Sequence, residues 1–192
     1  LRSLIAPLVA AGAPTRVTVG TLTYIDAIMH WAGCHPIEQC QVVPHTRFKS
    51  RSDYVNTPLS NAAITTLLSG LEASQASASL GGAALIFDAS GGAINRVHAN
   101  ATAFVHRNAL FSIQYYSGWV DTGAGDLHWN RSLYAAMRPH VSGFAYQNYI
   151  DPDLESWQHA YYGSNLRRLV AIKRKHDPHG FFRFAQSIPP RV

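Results

Sequence analysis

Charge is scarce in this sequence: Asp, Glu, Lys and Arg make up 14% of its 192 residues, against 47% apolar. That balance excludes an intrinsically disordered chain, which needs many charges and few apolar groups. Lysine is nearly missing, with only Lys49, Lys173 and Lys175. The one dense basic run, Arg167, Arg168, Lys173, Arg174 and Lys175, reads as a helix face that alternates between packing and solvent. A nucleic-acid surface is the weaker reading of it, and no nucleic-acid partner is expected. No run of about 18 uncharged apolar residues occurs, so no membrane span is expected. The ten histidines show no HxxxH spacing and there is no CxxC, so a metal site has little support. Only two cysteines are present, Cys34 and Cys40, in Cys34-His-Pro-Ile-Glu-Gln-Cys40. A short disulfide loop and two free thiols are both compatible with that spacing.

What is present is enough for a sizeable core in one domain or slightly more. Leu1–Val9 is too short and wrongly flanked for a signal peptide, and no initiator Met precedes it, which reads as a processed or truncated chain. Two N-x-[ST] tripeptides, at Asn100 and Asn130, lean slightly toward a secreted protein. The bias of Arg over Lys and the high alanine content lean instead toward a GC-rich bacterial genome and a cytoplasmic protein.

Punctuation and periodicity divide the chain. Leu1–Ala11 reads as a helix ended by Gly12 and Pro14. Arg16–Gly20 reads as a short strand. Thr23 and Asp26 form a variant capping box opening a helix toward Gly33. Thr57-Pro58 is a candidate helix start, with Leu59, Ala62, Ala63, Thr66, Leu67 and Leu71 on one face behind it. Residues 73–82 read as a linker. Ala83–Ala89 reads as a strand, Ser90-Gly91-Gly92 as a turn and Ile94–His98 as its partner strand. Leu110–Trp119 is the longest strand candidate. Alternation puts Phe111, Ile113 and Tyr115 on one face and Ser112, Gln114 and Tyr116 on the other. That second face is too polar for a core and suits either a ligand or solvent. Helices are expected over 126–137, 153–162 and 165–176, with an extended aromatic piece, Phe144–Tyr149, between the first two. The expected fold class is α+β, an antiparallel sheet with helices on one face.

The last fifth of the chain is the most specific. Tyr146-Gln-Asn-Tyr149, Ile150-Asp-Pro-Asp-Leu154, Tyr161-Tyr-Gly163, Asn165-Leu-Arg-Arg-Leu169, Asp177-Pro178, Phe182 and Gln186-Ser-Ile-Pro-Pro190 occur in order. In content and spacing they resemble the C-terminal region of the berberine-bridge-enzyme-like FAD-linked oxidases. Upstream, Phe48-Lys-Ser-Arg-Ser-Asp-Tyr54, Phe87-Asp-Ala-Ser-Gly-Gly92 and His106-Arg107 with Leu110–Tyr116 are similar to further family segments.

The resemblance implies a substrate domain over residues 1–144 and a segment, 145–192, that returns to an FAD-binding half. Nothing here resembles that half, which in many members links FAD covalently through residues absent from this chain. FAD, an FAD-binding N-terminal half or second chain, O2 and a small-molecule alcohol or sugar are the implied cofactor and partners. The implied reaction is oxidation of a sugar or secondary-metabolite alcohol with release of H2O2. A family dehydrogenase or oxidative cyclase, and a non-catalytic remnant lacking the flavin half, are the alternatives. No Glu stands on Leu110–Trp119, which counts against an oxidative cyclase. Carried over residue by residue, Tyr149 is the candidate base and Asp88 an acid that polarises it. Gln114, Tyr116 and Tyr54 are candidate substrate contacts, and Tyr146 and Asn148 candidate cofactor contacts. Lys49, His106 and Arg107 are expected to be structural.

Overall fold

The computed structural model describes residues 2–32, 47–76, 82–119 and 124–191. These fall into two compact units, the first within residues 1–45 and the second spanning 46–192. The first unit contains α1 (Arg2–Gly12) and α2 (Tyr24–Trp31). The hydroxyl of Thr23 accepts the Asp26 N–H at 3.2 Å, so the helix start expected there is formed. The strand expected at Arg16–Gly20 is not: those residues have no regular pairing. Val17, Thr18 and Val19 are all β-branched, but a lone segment cannot satisfy its backbone without a neighbouring strand. Cys34 and Cys40 lie outside the described residues.

The second unit is built on a three-stranded antiparallel sheet in the order β1-β3-β2, from β1 (Arg47–Val55), β2 (Ala83–Ala89) and β3 (Phe111–Trp119). Its helices are α3 (Asn61–Ala76), α4 (Gly92–Arg96), α5 (Ala124–Met137), α6 (Trp157–Tyr162) and α7 (Leu166–His176). Ile113 and Tyr115 of β3 and Val55 of β1 pack against Ala63 and Leu67 of α3 and Trp129, Leu133, Tyr134 and Met137 of α5. One sheet face therefore carries the core and the other does not, as the alternation in β3 requires. The α+β class is the one expected.

Several boundaries differ from the sequence expectation, each for a local reason. Helix α3 starts at Asn61, where the Ser60 hydroxyl accepts the Ala63 N–H at 3.2 Å, and not at Thr57-Pro58. It continues to Ala76, taking in the first residues of the expected linker. The segment expected as a strand at Ile94–His98 is instead the short helix α4. Gly91 and Gly92 both take positive φ, 114° and 51°, so the chain leaving β2 turns too sharply to pair back on it. Asn95 closes that turn by accepting the Gly91 N–H at 3.0 Å and donating to the Ala109 carbonyl at 2.9 Å. Residues 153–156 precede α6 as turns and do not extend it.

Strand β1 was not legible as a strand. It holds Lys49, Arg51 and Asp53 on its helix-facing side, and all three are buried. Asp151 pairs with Lys49 Nζ and Arg51 Nε, each at 2.7 Å, and Arg138 pairs with Asp53. Asn130, one of the two tripeptide asparagines, is fully buried and donates to the Tyr115 carbonyl at 2.9 Å. A glycan there is incompatible with the fold, whereas Asn100 is exposed.

His106 sits where the chain enters β3. Its ring stacks on Tyr54, centroids 4.2 Å apart, and Nε2 is 3.1 Å from the Tyr161 carbonyl. A carbonyl can only accept, so Nε2 carries the proton. Burial pushes the imidazole down to about 4, against the opposing pull of that hydrogen bond.

Two outcomes follow from these placements. Ile113→Ala, at a fully buried position, should lower the unfolding free energy by about 2–5 kcal/mol. Ile86→Ala, at a position 40% exposed on the opposite face, should change it by less than about 1 kcal/mol; comparing denaturant midpoints checks both. For His106, the unfolded ring takes up a proton near 6.5 and the folded ring only near 4. Its contribution is therefore intact above about pH 6.5 and lost as the pH falls toward about 4, by up to about 3 kcal/mol. His106→Phe keeps the stack and removes the titration. The stability difference between the two proteins should change with pH across that window, and a constant difference would contradict the buried neutral ring.

Candidate functional site

The core-free face of the sheet is polar because β3 alternates. Strand pairing sets Tyr54 of β1 and Asp88 of β2 directly opposite Ser112 of β3 on either side. The three side chains form a row across the sheet, with Tyr54 and Asp88 about 10 Å apart from two strand spacings. This row is the floor of an open cleft of about 460 Å³.

Tyr146 and Tyr149 make one wall. Residues 146–149 were expected to be extended, which would put those two rings on opposite sides. They form a turn instead, closed by the Tyr149 N–H donating to the Tyr146 carbonyl at 3.0 Å. The two rings then meet edge to face at 5.1 Å and point to the same cleft. Asn148 donates to the Tyr146 hydroxyl at 2.8 Å and holds that ring. The turn is tied to β1 at several points. Tyr146 N–H donates to the Ser52 hydroxyl at 2.8 Å, and the Tyr54 N–H donates to the Phe144 carbonyl at 3.0 Å. Ile94, Phe104 and Arg107 close the far side.

The electrostatics of the cleft are set by one anion and three phenols. Burial holds the Tyr54 hydroxyl above its usual range, and the neighbouring Tyr146, Tyr149 and Asp88 raise it further. Tyr149 is raised as well, first by burial, then by the charge of Asp88 and by Tyr146. Arg107 is the cation among the lining residues. Its donors are engaged by the Phe104 carbonyl at 3.2 Å, the Ile94 carbonyl at 3.0 Å and the Thr102 hydroxyl at 2.8 Å, so it braces the wall.

Of the residues singled out in the sequence, Tyr54, Asp88, Tyr146 and Tyr149 converge on this cleft, with Asn148 bonded to its edge. Asp88 does not cap the Ser90-Gly91 turn, because Asn95 takes the Gly91 N–H. Gln114 and Tyr116 share the sheet face but stand farther along it. Gln114 donates to the Ser50 hydroxyl at 2.7 Å, and Tyr116 stacks on Phe48 at 5.7 Å. Lys49 and His106 are structural, as expected, and Arg107 both braces and lines the cleft. Ser112, Ile94 and Phe104 were missed as lining residues. The polar alternation of β3 pointed at Ser112, but its opposition to Tyr54 and Asp88 depends on register. Nothing in the local sequence marks Ile94 or Phe104.

Residues 145–189 match the family model described as berberine and berberine-like. The chain is 33% identical to the uncharacterized FAD-linked oxidoreductase YgaK of Bacillus subtilis, over 99% of this chain and 40% of that protein. Its fold superposes on BBE-like 1 of Physcomitrella patens with a TM-score of 0.80 and 35% identity, covering 100% of this chain and 43% of the other. A glycopeptide hexose oxidase solved with teicoplanin is also similar, at a TM-score of 0.70 and 28% identity over 79% of this chain and 34% of that one. The chain thus spans about two fifths of the length of the first two of these relatives. On the BBE-like domain, the FAD-linked relative across nearly the whole chain and the shared fold, this chain belongs to the berberine-bridge-enzyme-like FAD-linked oxidoreductases.

Proposed function

We propose that this chain is the substrate-side part of an FAD-dependent oxidase that converts a sugar or other secondary-metabolite alcohol to a carbonyl, lactone or acid. The observation that carries this reading is the convergence of Tyr54, Tyr146, Tyr149 and Asp88 on one open cleft. The likeness to a glycopeptide hexose oxidase supports a carbohydrate-type substrate.

The described residues fit only one end of a flavin. The aromatic walls of the cleft suit the edge of a planar ring, and its open mouth admits one. No glycine-rich turn opening a long helix, the usual cradle for a dinucleotide's phosphates, is found among the described residues. Tyr146 and Asn148 are the residues of this chain that would meet the ring, and the rest of the cofactor would be held by an FAD-binding half. Residues 145–192 would return to that half. Phe181, Phe182 and Phe184 are 84%, 74% and 57% exposed, yet Asp177 fixes their loop by accepting the N–H groups of Phe181 and Phe182. Apolar side chains held stiffly in water are suited to a covering surface.

FAD, when bound, would accept the hydride from the carbinol carbon and pass two electrons to O2 to give H2O2. The chain's own task is the proton. Tyr149 takes it from the substrate hydroxyl, and Ser112 and Tyr54 on the floor orient that hydroxyl. Burial and the charge of Asp88 both raise the Tyr149 phenol in this chain, against the polarising part expected of Asp88, so the lowering that a phenolate base needs would have to come from the bound cofactor. Gln114 and Tyr116, farther along the same face, would meet the more distant parts of an extended substrate.

In the flavin-containing enzyme, Tyr149→Phe should lower turnover by about 10²–10⁴-fold with little change in folding. An unchanged rate rules out Tyr149 as the base. Asp88→Asn removes the anion that raises Tyr149, so the limiting pKa in a pH–rate profile should move down. A profile that stays in place excludes electrical coupling between the two.

A further inference from the structure

The mechanism above makes no use of one buried carboxylate that accepts three hydrogen bonds. Asp151 lies two residues beyond Tyr149 and is 2% exposed. One of its oxygens accepts from Lys49 Nζ at 2.7 Å and from the Asp153 N–H at 3.0 Å, and the other accepts from Arg51 Nε at 2.7 Å. Its backbone is engaged as well. The N–H donates to the Tyr161 hydroxyl at 3.0 Å, and the carbonyl accepts from Gln186 Nε2 at 2.8 Å.

Buried ion pairs are poor sources of net stability, because desolvating the partners offsets most of their attraction. Apolar side chains would hold this segment to β1 about as firmly, but with less directional control. The two cations stand two residues apart on the same side of one strand, and a single carboxylate bridges both. That geometry fixes position along the strand. The Tyr146 N–H on Ser52 fixes the other end of the same short stretch. Tyr149 lies between these two attachments, in the turn closed by its own N–H on the Tyr146 carbonyl at 3.0 Å.

We infer that Asp151 is the positioning residue of the candidate site, setting Tyr149 over the cleft floor through its ion pairs to Lys49 and Arg51; this rests on the reading of Tyr149 as the base. Asp151 itself is not among the residues that line the cleft. Its bonds act on the backbone that carries Tyr149.

The test uses the full flavin-containing enzyme. Asp151→Asn keeps the size of the side chain, leaves Arg51 without this anion and leaves Lys49 with Asp153 alone, 3.1 Å away. Per mole of folded, flavin-loaded protein, kcat should fall at least about tenfold, since small misplacements near a reacting atom are this costly. KM should change less than about twofold. Amide exchange over residues 146–150 should quicken. Arg131→Ala cuts only the exposed outer end of the same network, at Asp153, and should leave kcat unchanged. Should Asp151→Asn not fold, Asp151→Glu and Lys49→Met replace it with the same expectations. A kcat per folded molecule equal to wild type overturns the inference. If Tyr149→Phe runs at the wild-type rate, the base reading falls by itself. Exchange over 146–150 then decides the positioning alone, and protection unchanged in Asp151→Asn overturns it.

Discussion

A strand with three buried charges has to find its counter-charges elsewhere in the chain, and the second unit is organised around that requirement. Lys49 and Arg51 on β1 meet Asp151, and Asp53 meets Arg138. The partners come from about a hundred residues downstream for the first pair and from the residue just after α5 for the second. Arg51 also lies over the Tyr134 ring at 3.7 Å, which ties the charge network to the core. Burial pushes the Asp53 carboxyl up to about 7, and the Arg138 guanidinium pulls it the other way. A lone member of this set would be expensive to bury, so β1 can take its place only when the segment after α5 is docked.

The docking explains the site. The same segment that neutralises β1 carries the turn with Tyr146 and Tyr149. Its attachment to Ser52 and its pairing with Lys49 and Arg51 flank that turn. Meanwhile the strand register sets Tyr54, Ser112 and Asp88 in a row beneath it. Sheet and turn are brought together by charge on one side of β1 and present a cleft on the other. The C-terminal segment and the sheet therefore form one compact unit, although 145–189 is the part that matches the family model.

The legible parts of the fold were those whose signal is local. Thr23 and Asp26 announced α2, and the alternation of Phe111–Tyr116 announced β3 with its correct inner face. The motif Tyr146-Gln-Asn-Tyr149 pointed to the cleft. The misread parts lacked such a signal or depended on distant partners. Strand β1 shows no apolar alternation, because ion pairs rather than hydrophobic burial settle it. The pair Gly91-Gly92 was read as a hairpin turn, yet its positive φ values lead into α4. The aromatic run at 144–149 was read as extended, and its turn exists because both flanks are held to β1.

The sequence by itself determined the class of the fold, the inner and outer faces of its longest strand and the family, since each rests on short-range pattern or ordered motifs. Which residues share a cleft was decided only in three dimensions. Register set Tyr54 and Asp88 beside Ser112, and the closure of the 146–149 turn put two tyrosines on one side. Gln114 and Tyr116, on the same face by alternation, fell outside the cleft because position along a strand follows from pairing and not from periodicity.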